Sequence, residues 1–130
     1  MTDEKFIAEL EACRLPDALF NHAAHVRAGY LYLRAHRFPQ ATARMCTTIM
    51  NYAASLGKPA RYHETITFGF MVLIQDRLRD RGDGGGWEGF KAQNPELLRA
   101  DALLVYYPKE VLESEEARTG FVLMPLAPPR

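Results

Sequence analysis

Four side chains able to bind a metal ion or move a proton lie in two short segments of the sequence. His22 and His25 belong to the segment NHAAH, and His63 and Glu64 belong to the segment YHETIT. Neutral imidazole is a ligand that divalent zinc, iron, nickel and copper all accept. Residues i and i+3 of a helix lie on the same side, so His22 and His25 could both reach one ion.

The segment YHETIT places polar residues where the most hydrophobic helix of the chain is predicted to begin. These residues are Tyr62, His63, Glu64, Thr65 and Thr67. Buried polar groups require partners, so the cluster indicates something to hydrogen-bond or ligate. If this helix packs against the NHAAH helix, three histidines would form an open metal site, with Glu64 as fourth ligand or general base.

A structural interpretation of the same residues stays open. The helix dipole favours Glu64 in a first helical turn, Thr65 can bond back to its own helix, and His63 can be a neutral, fully hydrogen-bonded core residue. Arg118 could bind a carboxylate or phosphate in a bidentate manner, or pair with Glu115 or Glu64. His36 is predicted to be a structural residue at a helix C-terminus.

The pattern of apolar residues predicts an all-α fold, a compact bundle of about four main helices in one domain over residues 1–130. We predict the first of these helices over residues 3–14. The second is predicted to begin between residues 17 and 21 and to end at about residue 36, and the third and fourth cover 39–56 and 60–79. Shorter helical pieces are expected at 87–92, 95–98, 103–107 and 108–117, followed by an extended proline-rich tail at 121–130.

Several details of the predicted elements can be checked against the structure. The inner face of the third helix is expected to comprise Ala43, Cys46, Thr47, Met50 and Ala54. The fourth helix carries apolar residues nearly all the way around, which predicts a central, buried helix. The glycine-rich segment at 82–86 is predicted to be a flexible loop.

The composition excludes some classes of function. The 130 residues include 16 Lys and Arg and 16 Asp and Glu, so the formal net charge is zero. This balance argues against a nucleic-acid-binding protein and against a polybasic membrane anchor. The acidic N-terminal segment and the absence of an apolar run near ~20 residues predict a cytoplasmic protein without membrane partners.

The motifs together resemble a group of small, largely uncharacterised bacterial proteins. The shared features are His22 to His25, Tyr62 to Thr67, Trp87 with Phe90, Tyr106-Tyr107, Ala117-Arg118, and the segment 121–128. The resemblance implies that His22, His25, Tyr62, His63, Thr65 and Arg118 are the functional positions, and it implies no particular activity. The chain departs from the group's pattern at Asn21, where the group has a further histidine, and at Pro108, where it has a serine.

The leading hypothesis is a metal-binding helical protein that binds a divalent transition metal, namely zinc, iron, nickel or copper. His22, His25 and His63 would be the ligands, Glu64 a ligand or base, and Arg118 the anchor for an anionic small molecule. Such a site suits metal-assisted chemistry on a small metabolite. The alternatives are a non-catalytic module that binds a small ligand between helices, and a structural or interaction protein; the oligomeric state stays open.

Overall fold

A computed structural model describes residues 1–124 of the chain. Over this range the chain forms seven α-helices and no strand, which confirms the predicted all-α bundle. The helices are α1 (Asp3–Glu11), α2 (His22–Ala35), α3 (Phe38–Ser55), α4 (Glu64–Arg81), α5 (Trp87–Gln93), α6 (Lys109–Leu112) and α7 (Glu115–Thr119). Between them lie 3-10 turns at Asp17–Leu19, Pro59–Arg61, Pro95–Leu98 and Ala102–Val105.

Helix α1 begins where the sequence predicts and ends earlier. The Thr2 hydroxyl accepts a hydrogen bond from the Lys5 amide at 3.1 Å, as an N-cap residue does. The helix stops at Glu11, three residues before the predicted end, because Cys13 adopts a left-handed conformation with φ of 59°. A helix cannot continue through that backbone geometry.

Helices α2 and α4 cross closely at Gly29. A Cβ atom at this position would lie 2.8 Å from Cδ1 of Ile74 and 3.0 Å from the sulfur of Met71. Val26, Tyr30 and Leu33, which recur at helical spacing, are buried and form part of the core side of α2. The close crossing brings the first turn of α2, with its two histidines, over Phe70 of α4.

The predicted inner face of α3 is wrong except at Cys46. Ala43, Thr47, Met50 and Ala54 are exposed. The residues of α3 that are buried instead are Ala41, Thr42, Met45, Cys46, Thr48, Ile49, Tyr52 and Ala53. This face carries larger apolar side chains, so turning it inward removes more apolar surface from water than burying the small residues would.

Helix α4 begins at Glu64, four residues after the predicted start, because the chain first makes the 3-10 turn Pro59–Arg61. His63 is consequently the N-cap residue of α4 and precedes its first turn. The expectation of a helix buried on all sides is also wrong, since Val72 is half exposed. The C-terminal part of the chain covers only part of this side of α4.

The glycine-rich loop predicted to be flexible is held by close contacts. The carbonyl of Asp83 accepts a hydrogen bond from the Tyr30 hydroxyl at 2.7 Å. Gly84 packs directly on the backbone of Gly89 and Phe90. These contacts fix how α5 follows α4.

The described end of the tail, residues 121–124, has no regular secondary structure and contacts α4. The Phe121 ring contacts the Phe68 ring, with 5.5 Å between centroids, and yet Phe121 is about half exposed, Leu123 is largely exposed and Met124 is partly exposed. The rest of the predicted proline-rich tail, residues 125–130, lies outside the described residues. Among the helices described, none is both long enough and apolar enough to cross a bilayer.

Candidate functional site

The NHAAH segment forms the start of α2 and brings its two histidines together. The Asn21 side chain caps the helix by accepting a hydrogen bond from the Ala24 amide at 2.9 Å. His22 is the first helical residue, and His25 follows one turn later. The two rings have centroids 6.1 Å apart, which confirms that they lie on the same side of the helix.

His22 makes one hydrogen bond through its ring. Its Nε2 lies 2.9 Å from the carbonyl oxygen of Leu97. A carbonyl only accepts, so Nε2 carries a proton, and in the neutral tautomer with this donor Nδ1 keeps a lone pair. No partner for Nδ1 occurs among residues 1–124.

His25 lies in an aromatic environment. Its ring centroid is 6.0 Å from that of Phe20 and 6.1 Å from that of Phe70, both in edge-on geometry. Within the described part of the chain its ring forms no hydrogen bond. Desolvation by burial, with a smaller contribution from the charge of His22, lowers the pKa of His25 to about 4. The imidazole is therefore neutral at pH 7.

His63 uses both of its ring nitrogens within the protein. Nδ1 accepts a hydrogen bond from the Ile66 amide at 3.0 Å and so caps α4. Nε2 therefore carries the proton, which it donates to the carbonyl oxygen of Leu112 at 2.6 Å. The ring has no lone pair left for a metal ion unless it gives up the cap.

Thr65 joins the first turn of α4 to the tail. Its hydroxyl donates to the carbonyl oxygen of Gly120 at 3.1 Å and accepts from the Val122 amide at 3.0 Å. The side chain is fully buried. The Tyr107 hydroxyl donates to the carbonyl of Val122 at 2.7 Å, so the same stretch of tail is held from a second direction.

The remaining polar residues of the YHETIT segment also find partners nearby. The Thr67 hydroxyl donates to the carbonyl oxygen of His63 at 2.8 Å. The Tyr62 hydroxyl donates to Oε1 of Glu64, and burial followed by hydrogen bonds to Cys46 and Glu64 raises the pKa of Tyr62. The partners that the sequence required for this cluster are thus supplied by α4 itself and by the C-terminal part of the chain.

The structure brings the predicted site residues together in two separate groups. Across residues 1–124, no three His, Cys, Asp or Glu side chains meet in a group able to hold a metal ion. His22 is grouped with His25, and His63 is grouped with Arg118 at a groove between α4 and the C-terminal helices. Glu64 is not among the residues that line this groove.

We call this second site the C-terminal groove. It has a volume of about 440 Å³, and most of its lining surface is apolar, although half of its lining residues are polar or charged. Its residues are His63, Ile66, Ala100, Asp101, Leu103, Leu104, Lys109, Leu112, Glu113 and Arg118. The His63–Leu112 hydrogen bond lies in its wall, so the same contact that caps α4 also shapes the groove.

Arg118 is positioned at the groove by an ion pair within α7. Its Nε and Nη2 donate to the two carboxylate oxygens of Glu115 at 2.7 and 2.8 Å. This confirms the ion-pair interpretation of Arg118 with Glu115. The hydrogen bonds to Glu115 raise the pKa of Arg118, and Nη1 has no protein partner in the part of the chain that the structure describes.

Sequence reasoning missed most of the groove. Leu103, Lys109 and Leu112 were placed on helical pieces without any functional role. They reach the site because the C-terminal helices fold back onto the start of α4, and local periodicity carries no information about that long-range packing. The one local signal is the excess of polar residues at the start of α4, which marks where another segment must dock.

No protein-family model matches the chain, and neither the curated proteins nor the solved structures that were compared with it show significant similarity. The resemblance to the bacterial group with the HxxH and YHxTxT motifs therefore stays a prediction.

Proposed function

We propose that the chain binds a small amphipathic anion, such as a carboxylic acid with an apolar body, in the C-terminal groove. One observation carries this proposal. His63 from the start of α4 and Arg118 from α7, two positions that the sequence marks as functional, line the same groove.

The size and lining of the groove suit a small organic ligand. Its volume of about 440 Å³ falls within the roughly 300–1,000 Å³ of small-molecule sites. Ile66, Leu103 and Leu112 give it an apolar surface against which a hydrocarbon or aromatic group can pack. Such burial supplies the main free energy of binding for a ligand of this kind.

The charges around the groove favour an anionic group on the ligand. The Arg118 side chain is only 32% exposed and is held in place by Glu115, so its Nη1 is preorganised for a further acceptor. Lys109 adds a second positive charge at the groove, which the Glu113 carboxylate, 3.7 Å from its Nζ and also part of the lining, offsets, so Arg118 is the principal anion-binding group. The carboxylate of Asp101 is already paired with Arg99.

The same geometry supports binding rather than catalysis. A general base needs a free lone pair within reach of the reacting proton. In His63, one ring nitrogen accepts a hydrogen bond from the Ile66 amide, and the other donates its proton to the Leu112 carbonyl. The predicted base Glu64 accepts a hydrogen bond from Tyr62 and does not line the groove.

Matched acids and amides test this proposal. Hexanoate and phenylacetate should bind at least ~10-fold more tightly than hexanamide and phenylacetamide, because a charge-assisted hydrogen bond contributes about 1.5 kcal/mol. Arg118→Gln should reduce acid binding to the level of the amide. The control is Arg14→Gln, because Arg14 also makes two hydrogen bonds to a neighbouring carboxylate, that of Glu9, and neither residue lines the groove.

Two results would overturn the ligand proposal. One is equal affinity for acid and amide. The other is an equal loss of affinity in the Arg118→Gln and Arg14→Gln variants.

A transition-metal site at His22 and His25 is the second candidate function. Metal-bound histidines usually donate their other ring N–H to a carbonyl or carboxylate, as His22 does to Leu97. His25 is neutral and its ring has no protein partner among the described residues. Two imidazoles bound to one ion through ~2.1 Å bonds have centroids about 5–6.5 Å apart, and these two are 6.1 Å apart.

Titration of metal-free protein with Zn²⁺, Ni²⁺ and Cu²⁺ tests this second candidate. Near-stoichiometric binding that disappears in His22→Ala and His25→Ala, and persists in His36→Ala, supports it. Absence of binding, or binding that survives removal of both histidines, would exclude it.

A further inference from the structure

One side of the molecule collects most of the exposed large apolar residues. The described range contains ten such residues. Seven of them lie in α4, in the 3-10 turn Ala102–Val105 and the adjoining Tyr106, or in the tail. We call these seven residues the apolar face: Val72, Leu104, Val105, Tyr106, Phe121, Leu123 and Met124. Single exposed apolar residues are ordinary, but a contiguous group of this size marks an interaction surface.

The apolar face combines a projecting residue with a groove. Val105 is 81% exposed and extends from the 3-10 turn. Beside it, five of the seven residues line a groove of about 330 Å³, namely Val72, Tyr106, Phe121, Leu123 and Met124. Tyr106 directly follows Val105 in the chain and so connects the projection to the groove. A projection next to a groove on one surface suits a two-fold symmetric contact, which needs a self-complementary patch, because each copy can fill the groove of the other.

The charged residues around the apolar face are already paired within the chain. Arg77 binds Glu96, with 3.0 Å between Nε and the carboxylate. Arg99 binds Asp101 at 3.1 Å, and Arg79 contacts Asp76. No net charge remains to select an acidic or basic partner, whereas a second copy with the same balanced rim meets no repulsion.

From these observations we propose that the apolar face binds the same face of a second copy of this chain, forming a two-fold symmetric dimer. The seven side chains expose on the order of 700 Å², close to the ~800 Å² that each partner buries in a standard interface. The contact adjoins the proposed ligand site at Leu104, which lines the C-terminal groove, whereas the other six residues of the apolar face do not line it.

Sedimentation velocity of the full chain over a range of concentrations tests the dimer. The wild type should sediment with twice the 14.7 kDa mass of one chain. Val105→Asp and Leu123→Asp should each shift it to the single-chain mass, with unchanged helical circular dichroism. The matched control is Met50→Asp, because Met50 on α3 is 51% exposed and lies outside the apolar face.

Each other outcome overturns the dimer. A wild type that stays at the mass of one chain at the highest concentration contradicts it, and so does a dimer that both aspartate variants leave intact. A chain lacking residues 125–130 provides a third test. If only the shortened chain dimerises, those residues compete for the apolar face and the full chain does not use it for a second copy.

Discussion

Nε2 of His63 lies 2.6 Å from the carbonyl oxygen of Leu112, and this hydrogen bond ties the start of α4 to the C-terminal part of the chain. The opposite nitrogen of the same ring caps α4 through the Ile66 amide. One neutral histidine thereby fixes a helix start and one wall of the C-terminal groove.

Thr65→Val is predicted to loosen the tail without disturbing the shape of the core. The substitution keeps the side-chain volume but removes the hydroxyl that pairs with Gly120 and Val122. Leaving two partly buried backbone groups without their partner should lower the free energy of unfolding by about 1 kcal/mol. Hydrogen exchange at the Val122 amide should accelerate more than exchange in α2 or α3.

The control for this substitution is Thr47→Val, at an exposed position of α3. It should change the free energy of unfolding by no more than ~0.5 kcal/mol. Unchanged exchange at the Val122 amide in Thr65→Val would show that the Thr65 hydroxyl does not hold the tail.

The stability of the protein should fall as the pH drops from about 6.5 towards 4. The pKa of His25 is about 4 in the folded chain, against 6.5 for the ordinary imidazole. The unfolded chain therefore binds more protons across this interval, and the full stability is present only above it. Protonation of His25 alone should lower the free energy of unfolding by at most about 3 kcal/mol.

Urea denaturation at several pH values checks the role of His25. His25→Gln should flatten the dependence between about pH 6.5 and 5, whereas His36→Gln should leave it as in the wild type. An equally steep dependence in His25→Gln would assign the effect to other groups.

Gly84→Ala is expected to disrupt the loop between α4 and α5. An added Cβ would lie 2.3 Å from the Phe90 nitrogen, and the φ of 69° also disfavours an L side chain. We expect a loss of about 3 kcal/mol or more in the free energy of unfolding. Gly85→Ala is the matched control, since its φ of 78° carries the same strain but nothing lies within 4 Å of its Cβ.

The Gly85→Ala variant should lose only about 1 kcal/mol, the cost of a left-handed backbone alone. Thermal or chemical denaturation of both variants separates the steric part from the backbone part. Equal losses would mean that the loop moves away from α5 at little cost.

Cys13→Gly is predicted to stabilise the chain. Cys13 adopts a φ of 59° after the end of α1, where glycine is the preferred residue. Relief of the backbone strain, offset partly by the greater freedom of glycine in the unfolded chain, should add about 0.5–1 kcal/mol. Cys13→Ala keeps the strain and should give no gain; equal effects of the two changes would assign the result to the thiol.

The parts of the fold set by local chemistry were predictable from the sequence. Thr2 and Asn21 are caps with short polar side chains, and the stripe of α2 follows from its apolar spacing. The inner face of α3 was not predictable in the same way. That helix carries one stripe of large and one of small apolar residues, and tertiary packing decides which is buried.

The candidate site likewise has one part that local sequence predicts and one part that only tertiary packing decides. The sequence identified that Thr65 and His63 must find partners, because polar residues at the start of a hydrophobic helix require them. It could not identify the partners, since Leu112 and Gly120 follow about 50 residues later in the chain and offer only backbone carbonyls. Any residue type supplies such an acceptor, so no side-chain pattern marks it.

Amide chemical shifts recorded during a titration with phenylacetate test the central proposal, ligand binding in the C-terminal groove, most directly. The account predicts saturable shifts at His63, Ile66, Leu112 and Arg118, with the neutral amide producing much smaller changes at the same concentrations. Absence of saturable shifts up to about 10 mM, where even a ~1 mM site would be filled, would contradict the account. Saturable shifts confined to residues outside the groove would contradict it equally.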